Sequence, residues 1–264
     1  MERLLVLRLE SVGVAAEALI NGVPVARTGP GARVVTVPIH EFTLAGGNEL
    51  ELVIQPPPPG AASVPEPWLS DGNCGASLRL LLPRTGQLAH PENARTLALL
   101  EWAPVAGDVS EVPASVRRAV DLPIAFPRWR WLDAPVVEDL QTLRGPLAAY
   151  LQTLAVGLMR GDVEPLLLAA RLRLEDLAQA YQRSLADDVG RLRVQVQQLH
   201  AQQALKPLMP NADTLRLRPV AGGRLIECLA PDGTPALQSA VAGGGRVEWP
   251  VRVAAIDGRF YVLR

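Results

Sequence analysis

The texture of this chain changes near residue 133. Upstream, short β-branched runs are cut apart by proline and glycine; downstream, proline thins out and leucine recurs at helical spacing. From Thr214 onward, strand-like alternation returns. The order β, then α, then β predicts an α+β fold: an N-terminal antiparallel β-sandwich followed by a helical layer packed on an antiparallel sheet. A chain of 264 residues has room for two domains of about 130 residues each. The change of texture divides it into 1–133, a β-sandwich domain, and 134–264, an α+β domain of three helices and then four to five strands.

Composition narrows the class of protein. With 48% hydrophobic and 20% charged residues, the chain is globular rather than disordered. A net charge of −1 argues against nucleic acid as a partner, since such binders carry a basic excess. Lys206 is the only lysine among 26 basic residues, so the other 25 are arginine. Together with abundant Ala, Leu, Gly and Pro, that bias points to a GC-rich bacterial genome. Cys74 and Cys228 are the two cysteines, too few for a disulfide framework, and they read as reduced thiols. At the start, the apolar stretch between charges is four residues, Leu4 to Leu7, shorter than a signal peptide requires. Nowhere does an apolar run reach the about 18 residues of a membrane span. The expectation is a cytoplasmic protein with no membrane partner.

Local chemistry supplies the elements. Residues 3–10 and 14–20 read as strands, and Asn21-Gly22 before Val23 tolerates positive φ at both positions of a tight hairpin. Arg33 to Val37 reads as the next strand. Leu50, Leu52 and Ile54 then share one face of a strand that follows Gly46-Gly47. Pro56 to Pro59 opens a loop reaching residue 73. Further strands are expected at Ala76–Leu82, Thr96–Trp102 and Val116–Leu122, a spacing that fits a sandwich of seven or eight strands. Asp133 is placed to cap a first helix with Pro135 early in it, and Leu147, Leu151, Leu154 and Leu158 fall on one face. Gly161-Asp162 breaks and restarts the chain, with Asp162 as cap and Pro165 in the first turn. Leu174, Leu177, Ala178, Tyr181 and Leu185 form the inward stripe of a second helix. Asp187-Asp188 starts a third, with Leu192, Val196 and Leu199 inward. Thr214 onward reads as one antiparallel meander, in which Arg246–Val253 is a single strand and Asp232-Gly233 and Asp257-Gly258 are turns.

Ile20-Asn21-Gly22 followed by Gly46-Gly47-Asn48-Glu49-Leu50 resembles the jelly-roll, galactose-binding-like modules attached to many glycosidases. There, a strand ending in "NG" precedes a "GxNxL" turn. The resemblance implies a β-sandwich and, secondarily, carbohydrate binding. Gly161-Asp162 before a helix, and Asp257-Gly258-Arg259-Phe260-Tyr261-Val262-Leu263 near the end, are similar to NTF2-like (SnoaL-like) α+β domains. The second half departs from that pattern by placing a third helix directly after the second.

Several chemistries lose their support. His40, His90 and His200 do not fall in H-x-x-x-H or H-E-x-x-H, and neither cysteine belongs to C-x-x-C, so no metal site is read from spacing. G-x-S-x-G, the phosphate loop and G-x-G-x-x-G do not occur; Gly243-Gly244-Gly245 reads as a hairpin turn. Glu175-Asp176 and Asp187-Asp188 point about 100° apart on a helix and read as caps and solvated faces rather than a glycosidase pair. The expectation is therefore no catalytic, cofactor-binding or metal-binding residues, and no enzyme.

Tryptophan is the sharper signal. Trp68 lies in the proline-rich loop beside Asp71 and Asn73. Trp129 and Trp131 alternate with Arg128 and Arg130, so that in a strand the two ring systems would share a face. Trp and Arg dominate binding hot spots, although Trp129 and Trp131 read better as packed inside, with arginine stems covering the outside. Trp68, Asp71, Asn73, Arg128 and Arg130 are the candidate partner-binding residues. The expected partner is a protein: the chain is similar in its overall look to bacterial toxin-immunity proteins, which would neutralise a toxin by steric occlusion with loops such as 56–73 or 103–115. A carbohydrate-binding accessory protein and an NTF2-like small-molecule enzyme are the alternatives.

Overall fold

The computed structural model describes residues 4–29, 33–55, 68–70, 72–84, 86–111, 113–124, 126–202, 205–241 and 245–264. Contacts divide the chain into two compact units, Met1–Arg128 and Trp129–Arg264. The division lies upstream of the break expected after residue 133. Mixed α+β architecture is present, every ladder among the described residues is antiparallel, and no helix is long and apolar enough to cross a membrane.

The first unit is built of strands β1 (Val6–Val12), β2 (Ala15–Ile20), β3 (Val23–Thr28), β4 (Val34–Pro38), β5 (Gly46–Gln55), β6 (Trp68–Leu69), β7 (Gly75–Pro83), β8 (Ala94–Trp102), β9 (Val109–Ser110) and β10 (Ala114–Leu122). They form two four-stranded sheets, ordered β4-β1-β7-β8 and β10-β5-β2-β3, and a small β6-β9 ladder. Period-two alternation explains the buried sides. Leu7 and Leu9 of β1, Leu50, Leu52 and Ile54 of β5, and Leu78 and Leu80 of β7 are fully buried. The expected Asn21-Gly22 hairpin is present between β2 and β3, with φ of 51° and 73°. Asn21 does more than turn the chain. Its Nδ2 donates to Phe42 O at 2.8 Å and to Asn48 Oδ1 at 2.9 Å, and its Oδ1 accepts from Glu49 N at 3.0 Å. Asn48, buried, donates to Leu44 O and Gly46 O. The two asparagines thereby fasten the start of β5 to the β2–β3 turn.

The second unit begins with α1 (Leu140–Met159), α2 (Glu164–Ala169), α3 (Arg171–Tyr181) and α4 (Leu185–Ala201). It continues with β11 (Lys206–Pro207), β12 (Arg216–Val220), β13 (Leu225–Leu229), β14 (Gln238–Ala240), β15 (Arg246–Glu248), β16 (Arg252–Ile256) and β17 (Arg259–Val262). The expected Leu147, Leu151, Leu154 and Leu158 face is buried, in one core with Leu166, Val196, Ile226, Leu237, Val253 and Val262.

Several expectations need correction, among them the start of the last helix, which is Leu185 with the Ser184 hydroxyl accepting from Asp187 N at 3.2 Å, not Asp187-Asp188. α1 starts at Leu140 with the Asp139 side chain accepting from Gln141 N at 2.8 Å, not after Asp133. Residues 134–137 are held out of the helix because Val137 N donates to Gly223 O and Arg224 donates to Ala134 O. The segment expected to be the second helix is two, α2 and α3, abutting at Ala170. It restarts after Gly161-Asp162 as expected, but Val163 rather than Asp162 is its N-cap; Asp162, one residue upstream, accepts from Glu164 N at 3.0 Å. On α3 the buried residues are Asp176 and Ala180; the expected Leu174, Leu177, Ala178 and Tyr181 stripe is only half-buried. Finally, the meander is two sheets, β12-β13-β16-β17 and β11-β14-β15. Trp249-Pro250 splits the expected Arg246–Val253 strand between them, because proline cannot donate to a ladder. Residues 243 and 244 of the triple glycine lie outside the described residues, between paired β14 and β15.

Candidate functional site

The two loops named from the sequence meet in the first unit. Trp68 pairs with Ser110 and Leu69 with Val109 in the β6-β9 ladder. Beyond the ladder, Ser70 N donates to Asp108 O and Gly107 N donates to Ser70 O, both at 2.9 Å. Ser70 is buried. Its hydroxyl accepts from Gly72 N at 3.0 Å, donates to Pro104 O at 3.4 Å and lies 3.5 Å from Cys74 Sγ. Asp108 closes the tip of the second loop, its Oδ2 accepting from Val105 N at 2.9 Å while its own N–H donates to Val105 O. At Gly72, with φ of 78°, a Cβ would come within 3.1 Å of Ala106 N, so only glycine lets the loops approach this closely. The result is a cross-braced loop pair whose tip stands in solvent. Val105 is 66% exposed and Val109 64%.

Its charge is one-signed. Asp108 and Glu111 lie on the second loop and Glu101 at the end of β8 that leads into it, and neither residues 68–76 nor residues 101–111 contain a lysine or arginine. Among the described residues, Glu101 alone of the three has a basic neighbour, Arg79 at 3.6 Å.

The sequence-derived residues distribute as follows. Asn73 is exposed at the loop pair, and Trp68 contributes its backbone to β6. Asp71 lies outside the described residues. Arg128 is exposed at the end of the first unit. Arg130 belongs to the second unit and is committed to internal partners. It donates to Leu172 O at 2.9 Å and pairs with Asp176 at 3.2 Å and Glu175 at 2.7 Å. Trp129 and Trp131 do not share the face of a strand. Residues Arg130–Asp133 form a short 3₁₀ turn, and both rings are buried.

Sequence reasoning missed two charge clusters inside the second unit. Asp176, read there as part of a solvated pair, is buried, and its Oδ2 accepts from Arg264 at 3.0 Å. Arg264 is itself 1% exposed, its guanidinium 5.7 Å from the centre of the Trp129 ring. Glu227 on β13, also buried, sits between Arg218 at 2.6 Å and Arg252 at 3.1 Å. The missing signal is distance along the chain: 88 residues separate Asp176 from Arg264, and no periodicity links them.

Two reactive groups of the second unit are muted by burial. Desolvation pushes the Cys228 thiol up to about 12, with the neighbouring Glu227 charge adding to it. Burial likewise pushes the Tyr150 phenol to about 12, aided by Cys228 and Tyr261. The Tyr150 hydroxyl has no hydrogen-bond partner among the described residues. Both groups stay protonated at neutral pH. His200 packs on the turn after α1, where a Cβ at Gly161 would fall 2.6 Å from its Cγ. A shallow crevice of about 350 Å³ runs beside α1 and α2, lined by Gln152, Thr153, Val156, Arg160, Asp162 and Pro165. Among the described residues, no grouping of three or more His, Cys, Asp or Glu could hold a metal ion.

Comparison with protein-family models, curated proteins and solved structures found no match to this chain.

Proposed function

We propose that this protein works by binding another protein through the β6-β9 loop pair, as a cytoplasmic bacterial immunity protein that occludes a toxin. The observation carrying this reading is the loop pair itself: exposed Val105 and Val109 held on a braced two-stranded element. Bracing matters because ordering a loop on binding costs affinity, and a preformed loop has already met that cost. Exposed apolar residues on such an element favour a protein partner. The one-signed rim adds a chemical class, a partner whose contact surface is basic and whose approach the acidic side chains steer. On this reading the two four-stranded sheets face each other as a jelly-roll-like β-sandwich, and the second unit is an NTF2-like scaffold used without catalysis.

The test is co-expression with the product of the adjacent gene. Co-purification of the two, with rescue of growth, supports the reading. Val109→Asp should then weaken the complex about tenfold, the worth of one buried valine, while leaving the melting temperature unchanged. Absence of both a complex and toxicity removes the immunity reading. Binding on a glycan array in its place would transfer the loop pair, with Trp68, to carbohydrate recognition.

A further inference from the structure

We propose that Asn21-Gly22 is a modification site, where the Asn21 amide is converted to a carboxylate without an enzyme, and that a side-chain clamp in the folded first unit holds this reaction shut. The inference is independent of what the β6-β9 loops bind.

Asparagine is chemically labile, most of all before glycine, which has no side chain to shield its backbone nitrogen. In the reaction the Gly22 nitrogen attacks Asn21 Cγ and gives up its proton to a solvent base. The Cγ–Nδ2 bond breaks and ammonia leaves, closing a succinimide ring. Water then opens the ring at one of its carbonyls. Opening at Cγ gives aspartate; opening at the main-chain carbonyl gives isoaspartate, in which the chain runs through the side-chain carbon. Solvent supplies the water, and nothing is oxidised or reduced.

The structure leaves the nucleophile available and restrains the electrophile. Gly22 is half-buried, and its N–H has no hydrogen-bond partner among the described residues. The Asn21 amide is bonded through both of its polar atoms. Nδ2, the leaving nitrogen, donates to Phe42 O at 2.8 Å and to Asn48 Oδ1 at 2.9 Å, while Oδ1 accepts from Glu49 N at 3.0 Å. Pairing of Ile20 with Val23 holds the backbone in the turn, so Cγ reaches the Gly22 nitrogen only by a rotation that breaks these three bonds. The far side of the clamp is fixed in turn. Asn48, 4% exposed, accepts from Leu44 N at 2.7 Å and donates to Leu44 O at 3.0 Å and Gly46 O at 2.8 Å.

Asp257-Gly258 separates the clamp from the turn. Its φ angles of 49° and 72° match the 51° and 73° of Asn21-Gly22, and it too joins paired antiparallel strands. Asp257 is exposed, and its carboxylate has no hydrogen-bond or ion-pair partner among the described residues.

The product does not fit back into the clamp. A carboxylate has no N–H, so it meets Phe42 O and Asn48 Oδ1 with lone pairs only. Isoaspartate also lengthens the main chain inside the turn and disturbs the Ile20-Val23 pairing. Either way the start of β5 loses its fastening. An unfolding event long enough for the reaction therefore leaves a permanent mark on the first unit.

Peptide mapping by mass spectrometry tests the proposal, on the full chain aged in mildly alkaline buffer both folded and in urea. Asn21 should convert about tenfold more slowly when folded, because three hydrogen bonds must open first. Isomerisation at Asp257 should differ less between the two states. Asn48→Ala should bring the folded rate at Asn21 toward the unfolded one, with unchanged circular dichroism; if that variant fails to fold, the comparison with Asp257 decides in its place. Asn21→Asp, which makes the product directly, should melt at a lower temperature than the wild type. Each of four results overturns the proposal: equal conversion of Asn21 in both states, no conversion in either, Asp257 protected as strongly as Asn21, or Asn21→Asp melting like the wild type. A folded Asn48→Ala that reacts no faster than the wild type does so too.

Discussion

At the scale of single residues, burial decides which charges matter. Asp176 holds two arginines of very different exposure, Arg264 with its side chain at 1% and Arg130 at 42%. Asp176→Asn keeps the shape but removes the carboxylate charge facing the buried Arg264 guanidinium, a change that costs about 3 kcal/mol. Arg130→Ala removes a half-solvated ion pair worth about 1 kcal/mol at most. Urea denaturation should therefore show a large fall in midpoint for the first variant and a small one for the second. Cys228 gives a dependence on pH. Its thiol ionises near 9 when unfolded and near 12 when folded, so the stability it contributes is whole below about pH 9 and is lost as pH rises toward 12. Tyr150 acts in the same direction, starting near pH 10. Cys228→Ala should lower the plateau of stability at neutral pH yet remove the slope between pH 9 and 10, as thermal melts across that window would show.

Among elements, those whose reason is local were readable from the chain. The alternation of Leu50, Leu52 and Ile54 announces β5, the positive-φ tolerance of Asn21-Gly22 announces the β2–β3 hairpin, and the spacing of Leu147 to Leu158 announces α1. Where a distant partner decides, the pattern misleads. The start of α1 is set by Gly223 and Arg224 reaching back to residues 134–137, and the inward face of α3 by Arg264. The β6-β9 ladder is two residues on each strand, too short for any periodicity to register. Both loops could be named from the sequence; their adjacency could not. That adjacency also makes a prediction at this scale. Ser70→Ala removes the hydroxyl bonded to Gly72 and Pro104, so it should loosen the loops. Partner association should slow while global stability changes by less than about 1 kcal/mol, read by binding kinetics beside a melt.

For the whole molecule, the division into Met1–Arg128 and Trp129–Arg264 predicts where the chain can be cut. A fragment 129–264 should fold with a cooperative transition of its own. A fragment 134–264 lacks Arg130, one of the two arginines on Asp176, and the Trp129 ring beside the Arg264 guanidinium, and should melt at a lower temperature. Comparing the two fragments by calorimetry checks it. One carboxylate on α3 thus grips the beginning and the end of the second unit together, Arg130 from one side and Arg264 from the other. Held that way, the unit behaves as a nearly closed loop of chain. Its two ends could be joined by a short peptide and the chain reopened at an exposed turn, such as Asp257-Gly258, with the same core around the same carboxylate.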